Sequence, residues 1–312
     1  MPLIKKIPLP MAGLSLALAA TGNLLVSYGQ GYRWGFGVLS WTLLLALILK
    51  VVLDPTSVRQ GFSNPLIASV MPTFSMSLLL LSGYVAGVSP AVGEGLWFLG
   101  GLLHVTLIVL FTRHHLMGRK TEAYLPSYFV VYVGIVVASV TAPVFDQWAL
   151  GQAAFWFGLV SFFALLPHVL NRVFVLRDLP EPAQPAIMIL AAPASLLLTG
   201  YLKSFPEPSL ITAGLLALIS GIMLLLALSF LPRLLRLKYY PSYAAFTFPL
   251  VISAVGVKSL NGVLTTMGFG AGYLVPVVKL LEAGAVSIVL YVLLRFIQSL
   301  SIREASARVS PQ

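Results

Sequence analysis

Cysteine is absent from all 312 residues, which excludes a disulfide framework and thiol chemistry. Charge is scarce too. Asp, Glu, Lys and Arg make up 9% of the chain, against roughly a quarter in a soluble domain. So few charges could not cover a protein of this size in water, and lipid must replace water as its solvent. No polar stretch is long enough for a soluble domain, so residues 1–312 are expected to form a single transmembrane domain. The sequence has no Walker loop, no dinucleotide fingerprint and no Ser/His/Asp grouping. It therefore offers no catalytic residues, and neither enzyme activity nor a cofactor is expected. Histidine is limited to His104, His114, His115 and His168. The adjacent pair lacks a third ligand and the other two are isolated, so no metal site is expected.

What the chain does have is apolar length. Hydrophobic residues are 59% of it and mean hydropathy is +0.97. Ten apolar stretches stand out, at about 10–29, 34–53, 65–86, 92–112, 124–143, 147–170, 186–203, 208–231, 242–261 and 271–297. Each is near the ~20 residues that cross ~30 Å of hydrocarbon as a helix. The spacing predicts an all-α integral membrane protein of ten transmembrane helices. Lys5 and Lys6 before an apolar run loosely fit a signal peptide. Pro8 and Pro10 and the run's continuation through Val26 argue instead for a retained first helix.

The net charge of +10 would point to nucleic acid in a soluble protein. Here topology explains it better, and no nucleic-acid partner is expected. Lys5, Lys6, Lys50, Arg59, Arg113, Arg119, Lys120, Arg172, Arg177, Arg233, Arg236, Lys238, Arg295, Arg303 and Arg308 fall on one side of the ten-helix scheme. That is fifteen of nineteen basic residues, the others being Arg33, Lys203, Lys258 and Lys279. The positive-inside rule makes the rich side cytoplasmic. A multi-pass protein of the cell (inner) membrane with both termini in the cytoplasm follows.

Proline adds a repeat. Pro10, Pro72, Pro126, Pro193 and Pro249 lie early in segments 1, 3, 5, 7 and 9, at spacings of 62, 54, 67 and 56 residues, one helical hairpin each. Proline within a helix removes a hydrogen bond and bends it, and in lipid the freed carbonyl needs a partner. The five odd segments are therefore expected to be kinked and to sit inside the bundle. Proline is also simply common in membrane helices. These same segments contain no Asp or Glu; their charges are Lys203 and Lys258, and Ser15, Thr73, Ser75, Ser77, Ser139, Thr199, Thr247 and Ser253 supply hydroxyls. Cation-coupled carriers need buried carboxylates. A wall of hydroxyls and apolar groups with a basic mouth suits anions.

The strings Ile7-Pro8-Leu9-Pro10-Met11-Ala12-Gly13, Ala191-Ala192-Pro193 and Ala245-Phe246-Thr247-Phe248-Pro249 occur in that order at the openings of segments 1, 7 and 9. In these strings, and in helix count and hairpin order over residues 7–297, the sequence resembles the tellurite-resistance/C4-dicarboxylate transporter family. That family includes the slow anion channels of plant guard cells. The resemblance implies five quasi-symmetric helical hairpins, odd helices lining a central pore and even helices outside. It implies a homotrimer with one pore per subunit, an aromatic at Phe248 plugging that pore, and small anions as the transported species. The expected function is an anion channel or channel-like transporter, the alternative being a secondary carrier for C4-dicarboxylates or tellurite-type oxyanions.

Apart from the motif around it, Phe248 reads as ordinary packing; with the motif it reads as the gate. Lys258, near the outer end of segment 9, either snorkels to the interface or attracts anions to the mouth. Lys279 and Glu282, three residues apart, are expected to pair and fix helix packing.

Overall fold

The computed structural model of the chain describes residue 4 and residues 7–117, 124–269 and 272–309, the last eight as backbone only. Lys5, Lys6, Arg119 and Lys120, counted above in the basic side, lie outside the described residues, as do the side chains of Arg303 and Arg308. Helices are α1 (Met11–Leu25), α2 (Gln30–Leu53), a short α3 (Pro55–Ser63), α4 (Thr73–Ala86) and α5 (Pro90–Phe111). They continue as α6 (Tyr128–Tyr132), α7 (Val136–Thr141), α8 (Trp148–Leu170), α9 (Ala192–Ser204), α10 (Leu210–Leu234), α11 (Thr247–Thr266) and α12 (Val275–Val309). No strand occurs among the described residues. Nine spans among them are long and apolar enough to cross a bilayer, and the protein is a multi-pass, all-α membrane bundle.

Burial sorts these spans into two sets. The spans Met11–Tyr28, Pro65–Ala86, Glu181–Ser204 and Pro241–Thr266 have 67–100% of their apolar window buried, whereas the other five have 22–28%. The buried set coincides with four of the five segments that carry the proline repeat. Each packs on its following helix: α1 on α2, α4 on α5, α9 on α10 and α11 on α12. Contacts among the buried elements run α1 to α4, α4 to α7, α7 to α9, α9 to α11, and α11 back to α1. The exposed set turns large apolar side chains outward, among them Leu102, Val160, Phe163, Leu218, Leu225 and Leu280, as lipid-facing helices must.

The fifth segment departs from the expected single helix. α6 ends at Tyr132, the chain turns through Val133–Ile135, and α7 resumes at Val136 before a 3-10 turn at Ala142–Phe145. Gly134 is the cause. A Cβ there would lie 2.2 Å from the Val130 carbonyl oxygen, 2.8 Å from Met76 Sδ and 3.0 Å from His104 Cε1. The NH groups of Val133 and Gly134 both turn to the Phe129 carbonyl. His104 then bonds through Nε2 to the Val131 carbonyl at 3.1 Å, and through Nδ1 to Ser75 Oγ at 2.9 Å. A fully buried histidine thus provides the partner that a broken backbone needs in lipid.

None of the five prolines sits in the interior of an α-helix beyond its first turn. Pro10 and Pro72 cap α1 and α4, Pro126 lies two residues before α6, and Pro193 and Pro249 fall in the first turns of α9 and α11. There the missing NH costs nothing, since first-turn NH groups have no intrahelical partner. Bends arise instead where turns or 3-10 runs, such as Glu181–Ala191 and Pro241–Phe246, pass into α-helix. Pro167 and Pro232 do lie inside α-helices, both in the exposed set.

Candidate functional site

A cavity of about 690 Å³ penetrates the bundle from the end where the basic links gather. Every buried segment contributes to its wall: Pro10 and Gly13, Thr73 and Met76, Phe129 and Val133, Pro193 and Leu196, Phe248 and Pro249. Ser57, Gln60, Gly61, Asn64, Pro182, Tyr240 and Ser242 also line it. Lys50 is the sole charged side chain lining it among the described residues.

Phe248 is buried and faces this cavity, while Phe246 is fully buried, does not line it, and packs on Tyr243 with ring centroids 4.7 Å apart. The two rings separate because residues two apart on a helix point about 200° apart. A strap ties two of its lining segments together. Tyr240 OH donates to Glu181 Oε1 at 2.8 Å and Ser242 Oγ to the Pro182 carbonyl at 2.6 Å. The Tyr240 hydroxyl, with Glu181 behind it, raises the pKa of neighbouring Lys238 above its ordinary value.

The expected wall of hydroxyls is not there. Of the eight, only Thr73 lines the cavity. Ser15 bonds Ser40 across α1 and α2, Ser139 bonds Ser204, and Ser253 and Ser220 both bond Ser195. Ser75 and Ser253 donate to the carbonyls of Pro72 and Pro249, each at 2.8 Å. In lipid a hydroxyl gains more by bonding backbone or another helix than by facing an apolar void. The cavity's interior is consequently apolar.

At the opposite end Lys258 does not line the cavity. Its Nζ donates to the Leu24 carbonyl at 2.7 Å and to Ser27 Oγ at 2.8 Å, and forms a salt bridge with Glu282 Oε1 at 2.6 Å. The expected Lys279–Glu282 pair is not direct. Tyr28 OH donates to Glu282 Oε2 at 2.5 Å, and Lys279 Nζ meets the same hydroxyl. The reason is reach: Glu282 is buried and turned toward α1 and α11, whereas Lys279 lies at the rim. This junction of α1, α11 and α12 carries two lysines and one carboxylate. Sequence spacing could find only the pair on one helix; the partners from α1 and α11 are more than 20 residues away in the chain.

His114 and His115 pack against Phe62, and His115 Nε2 bonds the Phe62 carbonyl at 2.8 Å. His168 stacks on Tyr124 at 4.6 Å. Among the described residues no group of three His, Cys, Asp or Glu could hold a metal.

The sequence profile of the SLAC1 family, described as voltage-dependent anion channel, matches residues 6–297. A search of curated proteins finds no match.

Proposed function

The chain belongs to the SLAC1 family of voltage-dependent anion channels, and from that premise we propose that it conducts small anions along the axis of its buried segments through a pore closed at Phe248. Members of this family are channels and transporters, so the protein is an anion channel or transporter and not an enzyme. One observation carries the gate: the cavity gathers residues from all five buried segments and includes the Phe248 ring in its wall. A ring across a narrow, uncharged lumen excludes water and therefore hydrated ions.

In this reading the chain makes ten crossings as five hairpins, the broken α6–α7 segment being the fifth inner crossing and residues 1–312 one transmembrane domain. The basic end and both termini face the cytoplasm by the positive-inside rule. The active form is a homotrimer with one pore per subunit, as in the family the sequence resembles. The changes from turn or 3-10 geometry to α-helix beside Pro10, Pro72, Pro126, Pro193 and Pro249 shape the inner half of the pore. Lys258 and Lys279 supply positive charge at the outer mouth, offset in part by Glu282. The size of the cavity also accommodates a C4-dicarboxylate or a tellurite-type oxyanion, which keeps an alternating-access carrier as the second reading.

The test is Phe248→Ala in planar bilayers with chloride, nitrate and malate. Anion current should rise with selectivity kept, in steps too large for carrier turnover. A folded Phe248→Ala that carries no current removes the gate from Phe248.

A further inference from the structure

We propose that the α3 wall of the cavity is an anion-docking site, formed by Lys50 with Ser57, Gln60 and Asn64, where an anion waits before the closed gate. This deepens the channel reading and rests on it. The wall comes from a link that reads in sequence as a mere connection between crossings. α3 places Ser57, Gln60, Gly61 and, one residue beyond its end, Asn64 on the cavity. That spacing is i, i+3, i+4 and i+7, one face of a helix, and three of its four members carry hydrogen-bond donors.

Gly61 seats the helix. A Cβ there would stand 2.7 Å from Leu9 Cδ1 and 3.3 Å from Met71 Cε, so a larger residue would have to displace these side-chain ends where α3 approaches the first segment. Asn64 caps the next turn through Oδ1, which accepts from Leu66 NH at 3.0 Å. That assigns the amide orientation and leaves its NH₂ as a donor. Lys50, from the last turn of α2, is buried and lines the cavity, and Asp54, 3.8 Å from its Nζ, does not. Of this pair only the lysine lines the cavity. Asp54 also accepts from Ser57 NH at 3.3 Å, which holds the carboxylate to the α3 backbone. The Tyr240 and Ser242 hydroxyls, which also line the cavity, are committed to the strap.

The same cavity wall carries a cation and OH and NH₂ donors, its interior is otherwise largely apolar, and no carboxylate is among its described lining residues. It suits a small anion with accepting oxygens, an inorganic oxyanion or a carboxylate. Ammonium and amide donors in a partly desolvated site bind such groups by charge-assisted hydrogen bonds.

The experiment titrates purified full-length protein with sodium nitrate and, separately, sodium succinate, at constant sodium with a bulky sulfonate as balance. A ligand bound to the folded state raises Tm with the logarithm of its concentration. The rise should occur in wild type and in Phe248→Ala. It should persist in Lys50→Arg and vanish in Lys50→Met, Gln60→Glu and Asn64→Asp; the last keeps the cap and reverses the donor. Response to nitrate alone makes the site inorganic, and response to succinate alone makes it a carboxylate site. On the Phe248→Ala background, Lys50→Met should lower nitrate current from the basic side about tenfold more than from the other. A Tm response identical in all folded variants, or none in wild type, overturns the docking site. A response with Phe248→Ala electrically silent overturns the gate and leaves the site standing.

Discussion

Replacing Gly134 by alanine should damage the protein far more than one methyl in a membrane segment ordinarily would. The added Cβ would stand 2.2 Å from the Val130 carbonyl oxygen, against a usual closest carbon–oxygen approach of about 3.3 Å. The obstacle is backbone, and Met76 Sδ and His104 Cε1, at 2.8 and 3.0 Å, block escape on the other sides. Overpacking typically costs ~1–3 kcal/mol, and an immovable neighbour puts this case near about 3 kcal/mol. The alternative relaxation straightens α6 into α7. The Val131 carbonyl would then take an intrahelical NH, and His104, fully buried, would lose its acceptor at a cost of about 1–3 kcal/mol. Either route gives a loss of about 1–3 kcal/mol, measurable by reversible unfolding in bicelles. A double-mutant cycle with His104→Ala separates them. Straightening makes the second substitution cheaper in the Gly134→Ala background, whereas pure overpacking leaves the two nearly additive. A Gly134→Ala protein within about 0.5 kcal/mol of wild type would mean that the break in the fifth segment has another origin.

Phe246→Ala should lower stability by about 3–5 kcal/mol, as for a well-packed core ring, without opening a current; conduction by Phe246→Ala would exchange the roles of the two rings. Lys258→Met should cost about 1–3 kcal/mol by stripping Glu282 of its salt bridge, and Glu282→Leu alongside should recover part of it. An unchanged unfolding free energy would reduce the bridge to a solvated contact. Cysteines introduced at Ser301 and at Thr121, the latter outside the described residues, should resist impermeant reagent applied to intact cells, while one at Ser89 should react. External labelling at Thr121 would invert the orientation.

What the sequence made legible were properties that lipid enforces along the chain. Apolar length marked the crossings, and the proline repeat marked the alternate segments that are buried; the lack of Asp and Glu did not discriminate, since segments 34–53, 147–170 and 208–231 lack them too and face lipid. The break after Tyr132 was not legible. A run of Val130, Val131, Val133, Ile135, Val136 and Val137 reads as one helix, and Gly134 matters only through Met76 and His104, which arrive from other segments. The hydroxyls misled for a related reason: composition cannot tell a serine facing a lumen from one bonded to its own helix, as Ser77 is to the Thr73 carbonyl at 2.8 Å. The α3 wall lay in a link, where hydropathy carries no signal. Lys258 was found, but its partners were not, since Leu24 lies 234 residues away.

That separation bears on how the protein is made. α1 has neighbours in α11 and α12, which are synthesised more than 200 residues later. Until they are inserted, the buried faces of α1 and α9 lack a neighbour on one side, and the nascent bundle has an open seam toward lipid or the insertion machinery. Chains that stop before Thr247 keep that seam permanently. They would be targets for membrane quality control whatever the soundness of the hairpins already formed, because closure of the bundle is a late, long-range step that local helix formation cannot replace.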